Sequence, residues 1–232
     1  MNKRIFYISG LGAFAAIAAL AVAKTASAQT PTVSFNAGVA RDYVFRGVSQ
    51  TDENPQVFGG VDATAGQFYA GAWASNVDYS DSTDAEVDLY AGFRPQAAGW
   101  SFDVGAVAYL YPGQPDGADY DYVEAKIAAS RAVGPATVGG AVFWSPDFFG
   151  VEDEATYAEA NISYPVAEKI TLSGALGRQW VTSSSDYTTW NIGATWAFAD
   201  HLALDLRYHD TDEHGFGKLY DSRAAASLKA TF

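Results

Sequence analysis

The chain has 232 residues, of which 49% are hydrophobic and 15% aromatic, while only 18% carry a charge. Its formal net charge of −13 argues against a nucleic-acid partner, because the protein would repel a phosphate backbone. The lack of cysteine in the sequence excludes a disulfide scaffold, a thiolate zinc site and a cysteine nucleophile. Low charge combined with high aromatic content also excludes a disordered chain.

The N-terminal segment has the pattern of a secretory signal peptide. A basic start at residues 1–4 precedes a mildly apolar run over 5–23, and residues 26–28 form the small-x-small sequence that signal peptidase accepts. The alternative is an uncleaved transmembrane helix, since the run is just long enough to span a bilayer. Its many Ala and Gly residues make it only weakly hydrophobic, so we expect cleavage between Ala28 and Gln29 and export from the cytoplasm.

The remaining chain, residues 29–232, shows alternation of period two instead of helical periodicity. Over 85–94, for example, Val87 and Leu89 alternate with Glu86 and Asp88, as in a strand with one apolar face. Proline separates rather than interrupts these segments, and Pro165 is predicted to follow one of them. The pattern predicts twelve strands, or ten if two weak segments, 55–64 and 155–164, are misread. The twelve segments are 32–45, 55–64, 67–77, 85–94, 100–111, 120–131, 136–145, 155–164, 169–181, 187–198, 201–209 and 222–232.

The connections between these segments alternate between short turns and longer acidic loops. The longer set holds more than half of the 27 acidic residues. Short periplasmic turns at one end and longer polar loops at the other are typical of a transmembrane barrel. We therefore predict an all-β fold, an antiparallel up-and-down transmembrane β-barrel formed by residues 29–232, with a secreted soluble barrel as the alternative.

The segment ends and the C-terminus fit a barrel in the bacterial outer membrane. Apolar residues occupy every second position from Ala224 to Phe232, and this ending resembles the assembly signal of outer-membrane barrels. We accordingly expect outer-membrane lipid, lipopolysaccharide and the outer-membrane assembly machinery as partners. Aromatic residues near segment ends are predicted to form girdles at the lipid interface. These residues are Tyr43, Phe45, Phe68, Trp100, Tyr111, Tyr164 and Phe198.

Three stretches of the N-terminal half carry a family resemblance. The sequence YVFRGVSQT at 43–51, the sequence FYAGAWASNVD at 68–78 and the sequence EVDLYAG at 86–92 resemble the TorF family of porin-like proteins. The resemblance is specific over about 33–124 and looser beyond. It implies an outer-membrane β-barrel with a pore role, and it assigns no substrate and no functional residue to this chain.

If the apolar face of each strand meets lipid, charged side chains line the lumen. Acids outnumber bases among them, and carboxylate rings favour cations. The sequence therefore predicts a narrow, weakly cation-favouring passive channel for small hydrophilic solutes or ions. The alternative is that these charges pair into a plug inside a non-conducting barrel that stabilises or anchors the envelope. The predicted lining residues are Asp42, Glu86, Asp88, Arg94, Asp103, Glu124, Lys126, Glu159, Asp205, Arg207, Arg223 and Lys229.

Two arginines interrupt this simple pattern. Arg46, beside the first long loop, is predicted to pair internally with Asp78 or Glu86. Arg178 sits in the outward phase of its strand, where either a bulge would return it to the lumen or an interfacial position would let it snorkel.

Enzymatic and metal-binding interpretations use few residues. His209 beside Asp210, or His214 near Asp212, would need a nucleophile from 183–185, and the sequence has no G-x-S-x-G elbow. We therefore predict that the chain is not an enzyme.

The loop over 210–221 partly matches a calcium-binding pattern. His214 and Lys218 occupy ligand places and Asp221 replaces the final glutamate, which argues against such a site. No cofactor is predicted, and loose divalent binding by acidic loops stays an open alternative.

Overall fold

The computed structural model describes residues 30–151, 153–181 and 186–232. The predicted cleavage site at Ala28 and Gln29 and the serines at 183–185 lie outside these ranges. Within them, fifteen strands and two short 3-10 helices, His214–Phe216 and Lys218–Tyr220, are formed. The strands are β1 (Thr32–Ala40), β2 (Val44–Phe45), β3 (Val48–Ser49), β4 (Gln56–Ala65), β5 (Phe68–Asn76), β6 (Ala85–Phe93), β7 (Gln96–Ala97), β8 (Trp100–Leu110), β9 (Tyr122–Val133), β10 (Ala136–Ser145), β11 (Ala155–Ala167), β12 (Ile170–Trp180), β13 (Tyr187–Ala199), β14 (Leu202–Thr211) and β15 (Arg223–Thr231).

Twelve of the described strands close into one antiparallel barrel. Each long strand pairs with its neighbours in the chain, and the sheet closes where β1 pairs with β15. At the seam, the backbones of Phe35 and Phe232 exchange two hydrogen bonds of 3.0 and 2.9 Å. Full closure leaves no unpaired sheet edge. The predicted all-β, twelve-stranded barrel is confirmed, and 55–64 and 155–164 both belong to strands.

The outside of the barrel is apolar along its length. Leu89, Val104, Ile192 and Leu206 all lie exposed on the outer face, while their sequence neighbours face inward. The same alternation runs along every long strand, as a barrel wall in contact with lipid requires. Among the described residues, no helix is long and apolar enough to cross a membrane.

The two ends of the barrel differ in their connections. One end, the short-turn end, carries both termini of the barrel and tight turns such as the one at Ala98 and Gly99, where both φ angles are positive. The short strand β7 pairs with the start of β8 there and was not predicted. The other end, the long-loop end, carries the six longer connections.

One predicted strand boundary is wrong because of a proline. Strand β11 continues through Pro165 to Ala167, where the sequence predicted an end at residue 164. The pairing with β12 shifts between these two residues, so an irregularity in the ladder accommodates the missing amide hydrogen.

The first predicted strand is wrong in a more informative way. It was expected over 32–45, but β1 ends at Ala40 and the chain bends at residues 41–42. The following residues form the β2–β3 hairpin, a separate two-stranded sheet inside the barrel. We call residues 42–51 the inner hairpin.

Candidate functional site

The inner hairpin turns sharply at Arg46 and Gly47. Both residues have positive φ, 49° and 86°, which is the backbone of a two-residue hairpin turn and which glycine adopts without strain. The tip packs against the barrel wall at β13 and β14, because a Cβ added to Gly47 would collide with Thr189 and Thr211. The hairpin therefore extends from the end of β1 into the lumen and reaches β14 and β13, which follow β15 around the barrel wall.

Arg46 fastens the tip of the inner hairpin to the barrel wall. Its two terminal nitrogens donate to the two carboxylate oxygens of Glu124, each at 2.7 Å, and one also donates to Oε1 of Gln179 at 3.0 Å. The side chains of Arg46 and Glu124 are 5% and 2% exposed. A bidentate pair of this kind is strong and directional. The guanidinium carbon also lies within 4.9 Å of the centroids of three rings, those of Phe45, Phe143 and Tyr157.

The predicted partner of Arg46 is wrong, although the pairing is internal. Because the hairpin folds inward, Arg46 lies inside the barrel, not beside the first long loop, and it contacts Glu124. Asp78 instead accepts a hydrogen bond from the side chain of Asn54. Glu86 accepts from the hydroxyls of Tyr43 and Tyr111, at 2.7 and 2.9 Å.

A second ion pair holds the base of the inner hairpin. The carboxylate of Asp42 accepts from Arg223 at 3.0 Å. Its other oxygen accepts from the hydroxyls of Ser49 at 2.6 Å and Thr51 at 3.0 Å. Asp42 thus joins both arms of the hairpin to the last barrel strand.

The predicted aromatic girdle is partly wrong. Tyr43 and Tyr111 are buried in the interior, and Phe45 packs edge-on against Tyr109 there. The inward bend after β1 carries the first of these residues away from lipid. The remaining four lie on the outside at partly or fully exposed positions: Phe68, Trp100, Tyr164 and Phe198.

An aromatic cluster extends this packing into the long loops. Tyr120 and Phe149 stack with their ring centroids 4.4 Å apart, and Tyr79 meets both rings edge-on. Tyr111 links the cluster to the barrel interior. The sequence placed Tyr111 and Tyr120 at the ends of predicted strands and did not reveal the cluster, because nothing local indicates which loops fold over the lumen.

The half of the lumen near the short-turn end holds smaller charge networks. Asp103 accepts from Lys126 at 2.8 Å, from Arg94 at 3.2 Å and from the Tyr69 hydroxyl at 2.7 Å. Arg94 is half-exposed, so this network reaches solvent. Tyr69 lies flat over Gly92, where a Cβ would have no room.

The opposite wall of that half carries a second network. Asp205 pairs with Arg207 at 3.0 Å and accepts from the Thr195 hydroxyl at 2.6 Å. Arg207 also reaches the side chains of Asn191 and Ser173.

The other predicted lining residues also lie in the interior phase of their strands. Glu159 accepts from Tyr157 and Asn161, each at 3.1 Å, and Lys229 is half-buried on β15. The sequence missed Asp62, which accepts from the Tyr90 hydroxyl at 2.6 Å; it belongs to 55–64, one of the two weak segments. That solutes pass any of these residues stays a prediction.

Asp88 differs from all of these acids. Its side chain points into the interior from the centre of β6, and the residue is 0% exposed. Neither of its carboxylate oxygens has a hydrogen-bond partner among the described residues.

The residues considered for hydrolysis and calcium binding are engaged differently from the prediction. His214 bonds Asp210 at 2.8 Å, not Asp212, and is joined to no hydroxyl among the described residues. The carboxylate of Asp212 accepts from the backbone of Thr188, and Lys218 pairs with an acid of the first long loop. No group of three potential ligand side chains converges anywhere in the described ranges.

Arg178 lies on the outer face near the long-loop end. The ladder around it is regular, so no bulge returns it to the lumen. Its guanidinium bonds the Thr188 hydroxyl at 2.9 Å and pairs with Asp186 at 3.5 Å. The position corresponds to the snorkelling alternative.

Comparisons with known proteins place the fold. The model of the bacterial family Gcw_chp, described as a bacterial protein of unknown function, matches residues 23–232. A search of curated protein sequences finds no match. The solved KdgM porin is 8% identical with a TM-score of 0.62, and the match covers 86% of this chain and 99% of that one. The NanC porin is 10% identical with a TM-score of 0.55, covering 86% and 98%.

These likenesses support a porin-like barrel. At 8% and 10% identity they concern the fold alone. The matched family carries a different label from TorF, so the resemblance stated from the sequence is supported as far as a porin-like bacterial barrel and not by name.

Proposed function

We propose that this chain, which belongs to the Gcw_chp family of bacterial proteins of unknown function, is a narrow outer-membrane porin of the kind that the TorF resemblance implies. In this proposal it passes small hydrophilic solutes or ions passively and weakly favours cations. The observation that carries the proposal is a closed twelve-stranded barrel, within the described residues, that is apolar outside and charged inside. Charged side chains inside a barrel wall are those that tune passage in porins.

The outer surface supports a location in the bacterial outer membrane. A continuous apolar wall without a free sheet edge suits lipid, and the short-turn end would then face the periplasm. Outer-membrane lipid and lipopolysaccharide would contact the wall. Exposed Phe232 at the end of β15 would be available to the assembly machinery before closure.

The inner hairpin sets the expected size of the passage. Twelve strands enclose a lumen between the filled interior of an eight-stranded barrel and the open channel of a sixteen-stranded one. Here the hairpin and its Arg46–Glu124 pair occupy the long-loop half, so we expect small unit conductance. Glu86 and Asp88, together with further acids in the long loops, would favour cations.

The same observation supports a second candidate, a non-conducting barrel that stabilises the envelope. The Arg46–Glu124 pair is almost completely buried, and the aromatic cluster covers one side of the long-loop end. Buried paired charges would then serve only to fix the plug.

Single-channel current in a planar bilayer under a salt gradient tests the two candidates. The sample is the barrel recovered after export of the full-length chain. Discrete steps with a cation-favouring reversal potential are expected. A folded, heat-modifiable barrel that carries no current would favour the structural candidate. Steps with anion preference would keep the pore and reject the proposed lining.

The absence of catalysis remains a prediction of the proposal. Ester and peptide substrates should be hydrolysed no faster by the wild type, or by the double variant His209→Ala and His214→Ala, than in buffer alone. Hydrolysis that the double variant loses would replace the porin proposal by an outer-membrane hydrolase.

A further inference from the structure

We propose that Arg131 binds the phosphate of a phospholipid on the outer wall of the barrel, at the short-turn end. This inference rests on the membrane location in the proposed function and deepens it, because it names one lipid-binding residue. Arg131 lies on β9 an even number of positions after exposed Ile127, so both share the outward phase of the strand. Its ladder partner on β10 is Val138, and that ladder runs without a register shift. The guanidinium of Arg131 therefore projects from the face that meets lipid.

The charge of Arg131 has no counterpart on the surface that the structure describes. Its contact there is with the ring of Trp100, whose centroid lies 5.9 Å from the guanidinium carbon. No ion pair or hydrogen bond joins the guanidinium to any residue in the described ranges. The outward phases of β8, β9 and β10 also contain no acidic side chain. The acceptor for the guanidinium N–H groups therefore comes from outside the described chain.

The second basic side chain on the outer face of the described strands is engaged differently. Arg178, near the long-loop end, donates to the Thr188 hydroxyl at 2.9 Å and pairs with Asp186 at 3.5 Å. The protein thus supplies an anion to one outward arginine and leaves the other without one. A charge on a lipid-facing barrel wall is tolerated near the membrane interface and not at the bilayer centre, so the surroundings of Arg131 are interfacial.

Neighbouring aromatic side chains place Arg131 at the level of the lipid headgroups. Trp100 lies beside it on the outer face, and Phe68 and Phe93 pack at the same end with their ring centroids 5.0 Å apart. Outward aromatic residues at strand ends mark the boundary between hydrocarbon and headgroups. The aliphatic stem of an arginine at this level lies along the apolar wall while its guanidinium reaches the headgroups. Lipid phosphate is the anion found there.

The chemistry of the guanidinium and its position on the barrel select a phospholipid. A guanidinium donates two parallel N–H bonds to two oxygens of one phosphate, which is a bidentate match. The short-turn end would face the periplasm, and phospholipid forms that leaflet of the outer membrane, whereas lipopolysaccharide occupies the opposite leaflet. The ligand is therefore a phospholipid phosphodiester held by Arg131 beside Trp100.

Native mass spectrometry of the barrel in a phosphate-free detergent, with phosphatidylglycerol added stepwise, tests the site on the full chain after export. The wild type should retain a first phosphatidylglycerol with a Kd about tenfold lower than that of Arg131→Gln, the loss expected for a charge-assisted hydrogen bond. The matched control Arg178→Gln should bind like the wild type, since its arginine lies near the other end and is already paired. Heat-modifiable gel mobility verifies the fold of both variants. Equal Kd values for the wild type and Arg131→Gln would overturn the site.

A second measurement does not depend on any variant at Arg131. In the same detergent, phosphatidylglycerol with brominated acyl chains should quench part of the tryptophan fluorescence saturably, because bromine quenches on contact. Trp100→Phe should lack that part, and brominated diacylglycerol, which has no phosphate, should not produce it. Equal quenching by the two lipids would show that phosphate is not recognised and would also overturn the site.

Current recordings separate this inference from the porin proposal. A silent barrel that retains the Arg131-dependent lipid keeps the site and removes the channel. A conducting barrel that binds phosphatidylglycerol equally with and without Arg131 keeps the channel and removes the site.

Discussion

The two halves of the lumen differ in the size of the side chains that face the interior. Near the long-loop end, the interior positions carry large side chains such as Tyr109, Phe143 and Gln179, and the inner hairpin fills the remaining space. Near the short-turn end, most of the side chains that face the interior are small. That half contains Ser34, Thr64, Gly92, Ser101, Gly105, Ser130, Gly139, Ser163, Thr171 and Ser173.

The difference shows where this barrel restricts passage. Apart from Asp88, the charges described in the long-loop half are buried and bonded to one another or to groups of the hairpin, so they act as structural elements. Charges in the short-turn half, such as Arg94 and Asp205, retain contact with solvent, so they can act on a passing ion. The same residue types therefore stabilise one half and tune the other.

Removing the fastening of the hairpin should give the largest effect. Arg46→Ala leaves Glu124 buried without its partner, which costs about 3–5 kcal/mol of unfolding free energy, and it should raise single-channel conductance. Urea unfolding and bilayer recordings measure the two effects. The matched control Arg178→Ala removes an arginine that is 41% exposed and should cost at most about 1 kcal/mol with unchanged conductance. Equal effects of the two variants would contradict the role of Arg46 in holding the hairpin to the wall.

The tip of the hairpin offers a second, smaller test. Gly47→Ala combines positive φ with a collision against Thr189 and Thr211, and should cost about 2–5 kcal/mol from strain and overpacking. The matched control is Gly99→Ala. Gly99 has a similar φ, +78° against +86° at Gly47, but nothing lies within 4 Å of a Cβ added there. It should cost only about 1–2 kcal/mol. Urea unfolding of both variants measures the difference, and a Gly47 variant no worse than its control would show that the tip is not held.

Neutralising a charge in the short-turn half should change selectivity more than stability. Asp205→Asn leaves Arg207 without its carboxylate, so the reversal potential should move toward anions. The unfolding free energy should fall by only about 1 kcal/mol, because the pair is partly solvated. Asp116→Asn, in an exposed loop, serves as the control. A large loss of stability with unchanged selectivity would assign Asp205 to the structural half.

The smallest predicted effect lies in the last long loop. The hydrogen bond to Asp210 raises the pKa of exposed His214 above its ordinary value of 6.5. Because the folded-state pKa is the higher one, the added stability is complete below pH 6.5 and is lost as pH rises through the raised value. Amide hydrogen exchange in the loop should therefore accelerate with rising pH by more than the intrinsic pH dependence of exchange in an unstructured chain. His214→Gln should abolish this additional acceleration. An identical excess in the variant would contradict the assignment.

The sequence predicted the barrel wall well because each wall residue obeys a local rule. Alternation at Val87 and Leu89 against Glu86 and Asp88 is readable from four neighbours, and the structure follows it. The interior contacts could not be predicted from the sequence because they join segments that are distant along the chain. Arg46 meets Glu124 78 residues away and Gln179 133 residues away, and no local pattern encodes such pairs.

One signal for the inner hairpin was present in the sequence. Arg46 and Gly47 follow directly after the first predicted strand, 32–45. Charge and glycine together predict a turn as readily as a strand end. The turn alone would not have revealed whether it points to solvent or into the lumen.

The hairpin also bears on the order in which the molecule forms. It is made within the first third of the chain, yet its contacts lie on strands made much later: β9 and β12 hold Arg46, and β15 holds Asp42 at a separation of 181 residues. Contacts of such long sequence separation form late, because the intervening chain must first be ordered. The hairpin can therefore reach its native position only after β15, the last strand, has joined the barrel.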